Sequence, residues 1–445
     1  MGKQILITFI ATLGGFLGGS DIGIVSKIQT YFSFEQMFML TSMQLGLMVA
    51  VMLLGCLNGS LLSSYIAESL GRKKSILLGS VVFTCGLFLQ VLSSGNYTIF
   101  LCGRFTTGLA LGILVTIVPM YLGEVVAAED RGMVVSCQHL ACGTGTFVGF
   151  MVSYFLEEVE VFGLKDWQFA IILQLIPNLL MLFGMLTLPE SPRYLITKHK
   201  FEAAKKALAN LRSDTLENVE TELQQLKSNA EEEQEQLSLG QVLNKYKSRL
   251  LTGILVQVFQ QISGFNGLMY FSAALYKGMM PEYADYLAGG QTLMNIVATI
   301  PGMLLIDRLG RRTLMLFGTA GCSLGLFITG TAMLLPVQLP LVAVCGVFFF
   351  ITNYAYSLGP VPWVVCAEIY PAKIRSKAIS ITTSANWLSN LIISFISPIL
   401  LDSIGPFTFY IFSLTCLTAY FWVLKTLPET KGMSLEQVNR VFAKK

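Results

Sequence analysis

Long apolar stretches recur along the chain, and each is long enough to cross a membrane as one helix, which takes about twenty residues. We predict twelve of them, with bounds approximate to a few residues. They cover roughly 5–26, 43–66, 75–93, 98–122, 133–156, 168–188, 250–276, 287–306, 313–335, 339–366, 377–401 and 406–426. The pattern predicts an all-α membrane protein in which two sets of six helices flank one polar stretch.

The polar stretch separates the sixth predicted helix from the seventh. Between Arg193 and Arg249 lie 10 Lys or Arg and 9 Asp or Glu, which is 19 of the 57 charged residues in the chain. So many charges exclude the segment from lipid. Apolar residues at helical spacing over 201–211 and 219–226 predict short amphipathic helices at the membrane surface. We predict a solvated turn at the acidic run Glu231–Glu235.

Composition agrees with this organisation, because 53% of the residues are apolar or aromatic and only 13% are charged, against about 25% charged in soluble domains. The net charge of +3 is small and predicts no nucleic-acid partner. We therefore divide the chain into an N-terminal six-helix half, a helical linker, a C-terminal six-helix half and a tail. Their bounds are 1–189, 190–249, 250–427 and 428–445.

The nine cysteines have no paired spacing and lie in or beside apolar stretches. They are interpreted as small core residues, with no metal site and no disulfide pattern, and no cofactor is expected. The first apolar stretch continues past Asp21 and lacks a small-residue cleavage site. It is therefore predicted to be the first membrane helix and not a signal peptide.

Positive charge is shared unevenly between the loops on the two sides of the predicted membrane. One side carries only Lys27, Lys165 and Lys277. The other side carries the linker and these cations: Arg72, Lys73, Lys74, Arg131, Arg308, Arg311, Arg312, Lys373, Arg375 and Lys377. Cytoplasmic loops are enriched in Lys and Arg, so the second side, with both termini, faces the cytoplasm. We expect a monomer in the lipid bilayer of the plasma membrane, with a vacuolar or organellar membrane as the alternative.

Charged motifs recur at matched places in the two halves. The second helix is followed by ESLGRKK from Glu68, and the eighth by DRLGRR from Asp307. After the fourth and tenth helices, Glu124 and Glu368 each precede an Arg by seven residues. Ordinary cytoplasmic loops would explain the cations but not the acids at matched spacing. The pattern predicts an internal repeat.

Acids at helix ends and Arg residues of neighbouring loops can pair at the cytoplasmic rim, and several pairs together would close that side. We predict a cytoplasmic gate in which residues of the first half face residues of the second. Its members are Glu68, Arg72, Glu124 and Arg131 on one side and Asp307, Arg311, Glu368 and Arg375 on the other. The first copy has Ser69 where the second has Arg308, so the gate is expected to be looser on the N-terminal side.

Six further motifs follow one another in the order and topology of a known family. They are GR at Gly103, PMYLGE at Pro119, PESPRYL at Pro189, QQISGFN at Gln260, GPVPW at Gly359 and PETKG at Pro428. Over almost its full length the chain resembles the sugar porter family of the major facilitator superfamily. The resemblance implies the major facilitator fold and a sugar transporter that opens a midplane site to each side in turn.

A sugar site needs amides, which both donate and accept hydrogen bonds, and a few aromatic rings. The resemblance implies that Gln260, Gln261 and Asn266 of the seventh helix bind the sugar. Since Gln261 and Asn266 would differ by about 140° on an ideal helix, we expect an irregularity there, which Gly264 would permit. The alternative is that these amides only cross-link helices.

The resemblance also implies that six more side chains complete the pocket: Asn295, Trp363, Asn386, Trp387, Tyr270 and Phe16. Of these, Tyr270 would help to close an outer gate over the sugar. For Phe16 and Trp387, an aromatic in the core or facing lipid is the alternative.

Two positions depart from the family pattern. Many relatives have a Gln eight residues after the Arg that begins the fifth helix, and counted from Arg131 that place holds His139, with Gln138 before it. One residue turns the helix face by about 100°, so either His139 contacts the sugar or a local adjustment brings Gln138 inward; we prefer His139. Ala355 lies where facilitative carriers of animals often have Glu. In this respect the chain is closer to bacterial and plant proton symporters.

Asp21 lies within the first apolar stretch, where a carboxylate is costly unless it has a partner or a function. Arg104 in the fourth helix is the partner that we predict. Similar symporters use this Asp–Arg arrangement, whereas passive carriers commonly have Asn at the Asp position. The resemblance therefore favours sugar:proton symport of a glucose-like hexose. Facilitative uniport, with Asp21 in a structural ion pair, is the alternative.

Two other classes of protein are disfavoured. A membrane sugar sensor would usually carry long cytoplasmic extensions, and about 20 residues follow the last predicted helix. An enzyme is not expected, because the sequence shows no Ser/His/Asp set, metal cluster or phosphate-binding loop.

Overall fold

The computed structural model describes residues 2–126, 131–160, 163–212, 219–224, 239–335, 339–370 and 372–431. In these ranges the chain forms a bundle of helices, eleven of which are long and apolar enough to cross a membrane. The bundle has two similar halves of six crossings each, and short linker helices lie beside one end of it. We call that end of the bundle the linker end and the opposite end the far end.

The first half contains eight helices. They are α1 (Gly2–Ile28), α2 (Phe32–Phe38), α3 (Ser42–Leu70), α4 (Arg72–Val91), α5 (Tyr97–Val125), α6 (Arg131–Leu156), α7 (Asp166–Ile172) and α8 (Leu175–Thr187). The short α2 lies at the far end, and α7 and α8 together make the sixth crossing. The side chain of Asn96 caps the start of α5 by accepting a hydrogen bond from the backbone N–H of Thr98 at 3.0 Å.

The described part of the linker contains α9 (Pro192–Thr197), α10 (Phe201–Arg212) and α11 (Leu239–Lys245), and residues 219–224 are also helical. The amphipathic helix predicted over 201–211 is thus present. It buries Ala204 and Leu208 in a small separate core, whose other buried members are Ile196, Val219 and Leu223. The predicted turn at 231–235 lies outside the described residues.

The second half repeats the order of the first. Its helices are α12 (Lys247–Ile262), α13 (Phe265–Tyr270), α14 (Ser272–Met279), α15 (Ala284–Leu309), α16 (Arg311–Leu334), α17 (Pro340–Tyr356), α18 (Val361–Ile369), α19 (Ala372–Ile404) and α20 (Phe407–Thr426). The seventh crossing is divided among α12, α13 and α14. This division explains why eleven long helices, and not the predicted twelve, occur in the described chain.

Helices cross at glycines within the first half. A Cβ at Gly19 of α1 would overlap the carbonyl oxygen of Cys142 on α6, and a Cβ at Gly108 of α5 would overlap that of Met52 on α3. Lipid gives helices no hydrophobic reason to associate, so close approach of the two backbones supplies the van der Waals contact instead. The first crossing fixes α1, which carries Asp21, and the second fixes α5, which carries Arg104.

The halves pack their helices in equivalent pairs. The contact of α1 with α6 corresponds to that of α12 with α19, and the contact of α4 with α8 corresponds to that of α16 with α20. The two halves meet along α3 with α19 and along α6 with α15. We call this boundary between the halves the seam.

We expect Gly19→Ala to destabilise the protein, because the added methyl group fits only if α1 moves away from α6. The expected loss in the free energy of unfolding is about 1–3 kcal/mol, as for other overpacked contacts. It is measured as a lower midpoint of thermal unfolding of the purified protein. Gly18→Ala is the matched control, since its Cβ would lie 3.9 Å from Leu111, an ordinary contact. Equal midpoints for the two variants would contradict this account.

Candidate functional site

The seventh crossing breaks between α12 and α13, at Ser263 and Gly264. Gly264 has a φ of +86°, a conformation open to glycine but strained for most other residues. The break turns α13 relative to α12, and Asn266 Nδ2 donates to Gln261 Oε1 at 2.7 Å. The irregularity that the sequence predicts is therefore present, and it brings together two amides that an ideal helix would hold apart.

A cluster of five amides joins α12 and α13 to α19. Asn386 Nδ2 donates to Gln257 Oε1 at 2.7 Å and to Gln260 Oε1 at 2.6 Å. Gln261 Nε2 in turn donates to Asn386 Oδ1 at 2.9 Å. We call Gln257, Gln260, Gln261, Asn266 and Asn386 the amide cluster. Its members both donate and accept, so each of these bonds can be exchanged for one to a hydroxyl group.

Gln260 and His139 approach the same turn of the tenth crossing from different halves. Gln260 Nε2 donates to the carbonyl oxygen of Gly359, between α17 and α18, at 2.7 Å. His139 Nε2 lies 3.2 Å from the position that a Cβ at Gly359 would take. Gln138, in contrast, is buried and donates to the carbonyl oxygen of Val115 at 3.4 Å. The structure thus brings His139 to the seam beside the amide cluster.

Three other predicted pocket residues of the second half also reach across the seam. Tyr270 is 1% exposed and packs in the core of the first half. Trp387 packs against the same core, and its buried indole N–H has no hydrogen-bond partner among the described residues. Asn295 Nδ2 lies 3.7 Å from the position that a Cβ at Gly143 of α6 would take. The indole N–H of Trp387, the residue that follows Asn386 of the amide cluster, is therefore available to a polar ligand.

Phe16 and Trp363 are both half-buried. Phe16 packs against the core of the first half, the position that the alternative of a core aromatic describes. Trp363 lies on α18, four residues after the Gly359 carbonyl that binds Gln260.

Asp21 and Arg104 form the predicted contact, an ion pair inside the first half. Arg104 Nη1 donates to Asp21 Oδ1 at 2.5 Å, and the two residues are 0% and 1% exposed respectively. Arg104 Nη2 lies 3.0 Å from Met52 Sδ, whereas Asp21 Oδ2 is buried and has no hydrogen-bond donor in the part of the chain that the structure describes. A carboxylate oxygen in this state can take a proton without losing a bond, and protonation would weaken the pair.

At the linker end, two carboxylates bind the starts of equivalent helices. Glu190 Oε1 accepts from the backbone N–H of Arg72 at 3.0 Å, and Glu429 Oε1 accepts from that of Arg311 at 2.9 Å. The unpaired N–H groups and the dipole of a helix N-terminus both favour an anion there. The preceding residue is a glycine in each copy, with φ values of +90° and +92°.

The Arg side chains at these corners are also paired in equivalent ways. Arg72 Nη2 lies 2.8 Å from Glu124 Oε1, and Arg311 Nη2 lies 2.7 Å from Glu368 Oε1. The second oxygens of the two Glu accept from hydroxyl groups, those of Ser191 and Thr430 respectively. Both copies of the repeated motif therefore fold into the same hydrogen-bonded corner.

This pairing differs from the predicted gate, in which acids and Arg residues of opposite halves face one another. Arg72 and Arg311 each pair with a Glu of their own half, because each begins a helix that packs against the helix carrying that Glu. Glu68 is exposed. The side chains of Arg131, Asp307 and Arg375 lie outside the described residues.

Gln257 is a member of the amide cluster that sequence analysis does not single out. It binds Asn386, and its Nε2 lies 3.7 Å from Cys366 Sγ. Its place three residues before Gln260 puts both side chains on one helix face, and this spacing is the signal that points to it.

Comparison with known proteins bears on the class of transporter. The family model of sugar (and other) transporters matches residues 7–442. The chain is 31% identical over 450 residues to the "Probable metabolite transport protein CsbC" of Bacillus subtilis (strain 168), covering 100% of this chain and 95% of that one. It is 29% identical over 450 residues to the galactose-proton symporter of Escherichia coli (strain K12), covering 98% and 94% respectively.

The fold has a counterpart among solved structures. The proton:xylose symporter XylE, bound to 6-bromo-6-deoxy-D-glucose, matches with a TM-score of 0.86 and 27% identity over 99% of both chains. The family model matches nearly the whole length of the chain. The two repeated halves of six crossings and the amide cluster are consistent with that match. The chain belongs to the sugar transporter family and has the fold of the major facilitator superfamily.

Proposed function

We propose that the protein carries a glucose-like hexose and a proton together across a membrane, by alternating access to a site on the seam. The observation that carries the proposal is the buried pair of Asp21 and Arg104, in which one carboxylate oxygen accepts no hydrogen bond from the described residues. Two similar proteins are a galactose-proton symporter and a proton:xylose symporter, which supports coupling to protons.

The amide cluster is the proposed sugar site. Its amides bind one another, so their donors and acceptors are paired within the described chain. A sugar hydroxyl donates and accepts as an amide does, so it can replace these internal bonds one for one. The unpaired indole N–H of Trp387 adds one donor, and His139 would contact the sugar from the first half.

The ion pair can act on the sugar site through α1. This helix carries Asp21, packs along α6, and contacts α13, on which Asn266 and Tyr270 lie. A proton on Asp21 removes the negative charge that holds Arg104, and so loosens the tie between α1 and α5. Proton binding would thereby change how α1 supports the outer gate residue Tyr270.

The linker end is proposed to face the cytoplasm, with the far end outside the cell. The distribution of Lys and Arg between the two sets of loops supports this orientation. A plasma-membrane location and a monomeric carrier complete the proposal.

We expect Asp21→Asn to abolish accumulation of sugar while preserving its exchange. In proteoliposomes, an inward gradient of one pH unit drives up to about tenfold accumulation in one-to-one symport, since each 1.4 kcal/mol is a factor of ten. Asparagine keeps an oxygen for Arg104 but cannot be protonated at physiological pH. The measurement is uptake of labelled hexose with and without the gradient, together with counterflow of labelled against unlabelled sugar.

Asp402→Asn is the matched control, because Asp402 is an exposed carboxylate that accepts from Ser42 at 3.0 Å and is not part of the Asp21–Arg104 pair. It is expected to accumulate sugar as the wild type does. Equal uptake of labelled hexose into wild-type vesicles with and without the pH gradient would contradict proton coupling and indicate a uniporter.

We expect Gln261→Leu to raise the KM for counterflow by about 10–100-fold. A sugar hydroxyl buried against leucine would lack a hydrogen-bond partner, which costs about 1–3 kcal/mol. Counterflow needs no proton gradient, so the result is independent of coupling. Gln168→Leu removes an amide that binds the Val91 carbonyl at 2.7 Å, outside the cluster, and serves as the control. A similar KM in both variants would place the sugar elsewhere.

A further inference from the structure

Lys27 lies at the far end of α1 and is only 2% exposed, which is rare for an ammonium group. Its Nζ lies 2.8 Å from Glu157 Oε2 and 2.7 Å from Asp285 Oδ1. The rings of Tyr31 and Tyr154 lie 6.0 Å and 5.8 Å from the same nitrogen. Two carboxylates and two aromatic rings therefore surround the charge in place of water.

The two acids belong to different halves of the molecule. Glu157 follows α6, in the same half as Lys27, whereas Asp285 lies in the first turn of α15 in the other half. One ammonium group thus makes one ion pair within its own half and one across the seam. These two bonds respond differently when the halves move apart.

Lys27 and Glu157 are firmly held within the first half. Burial, with Asp166 and Glu157 nearby, raises the pKa of the Tyr31 phenol well above its usual range. The phenol therefore stays uncharged, and it donates to the carbonyl oxygen of Ser153 on α6. This bond ties the segment after α1 to α6, so Lys27 and Glu157 are expected to move as one body.

Other polar contacts also join the halves at the far end. Ser26 and Ser272 share a hydrogen bond of 2.8 Å, and Gln29 Nε2 donates to the carbonyl oxygen of Tyr270 at 2.6 Å. These bonds are between uncharged groups, which are weaker than charge-assisted ones. Among these three polar contacts of the described residues, the Lys27–Asp285 pair is thus the strongest.

We propose that Lys27 and Asp285 form a lock at the far end, whose ion pair must separate before the sugar site opens on that side. The proposal rests on alternating access and adds the contact that sets the balance between the two orientations. On separation Lys27 keeps Glu157, and Asp285, whose side chain is already 32% exposed, passes to water. Neither charge is then left buried alone, so the lock can open and close reversibly.

The test is hydrogen–deuterium exchange of the purified protein in lipid nanodiscs, without sugar or a pH gradient. Asp285→Asn is expected to raise exchange in α14 and the first turn of α15, and to lower it in α18 at the linker end. The shift in the ratio of the two orientations is expected to be about tenfold, as for a partly exposed ion pair. This readout does not depend on which sugar is carried or on proton coupling.

Glu157→Gln is the matched control, because it removes a carboxylate from Lys27 at nearly the same distance but leaves the bond across the seam. Exchange at α14 is expected to be no higher than in the wild type, because Lys27 then has no carboxylate to keep when the pair across the seam separates. Unchanged exchange in Asp285→Asn, or equal increases in Asp285→Asn and Glu157→Gln, would each overturn the lock.

Discussion

The hydrocarbon core of a membrane offers no hydrogen-bond partner, so a polar group buried there must be satisfied by the protein itself. The amide cluster meets this constraint because its members bind one another across three helices. The Asp21–Arg104 pair meets it only in part, since one carboxylate oxygen is left over. The Asp21–Arg104 pair is the more informative of the two, because a buried carboxylate oxygen that accepts no hydrogen bond from the described residues can take up a proton.

The same constraint explains which parts of the molecule are rigid. At the linker end, Glu190 and Glu429 hold the starts of α4 and α16, and Arg72 and Arg311 pair within their own halves. Bonds that lie inside one half survive any motion of one half against the other. Each corner therefore stiffens a six-crossing unit and leaves the seam as the surface along which motion can occur.

The sequence predicts much of this structure where the physical cause is local. Hydropathy defines the crossings, and the spacing of apolar residues defines α10 in the linker. The break at Gly264 follows from helix geometry together with the family resemblance, because two amides that are implied to bind one sugar lie five residues apart and cannot share a face of an ideal helix. The ion pair could also be predicted, because a carboxylate in one apolar stretch and an Arg in another are each costly in lipid unless they are paired.

Features that depend on docking could not be predicted in this way. Loop charges show which side of the membrane an Arg occupies but not which Glu it meets, so the pairing of Arg72 with Glu124 needed the packing of α4 on α5. Gln257 carries no motif of its own. The contact between Lys27 and Asp285 joins residues 258 positions apart, and it exists only once the two halves are placed together.

If the amide cluster is the sugar site, as proposed, its internal hydrogen bonds also have a kinetic consequence. A site that already makes its hydrogen bonds gains little net energy when a sugar exchanges them for its own hydroxyls, since the bonds formed resemble the bonds lost. Weak binding of this kind favours short residence times, because differences in affinity appear mainly in the rate of dissociation. Internal hydrogen bonds that compete with the sugar therefore suit a carrier, which must release its substrate in every cycle.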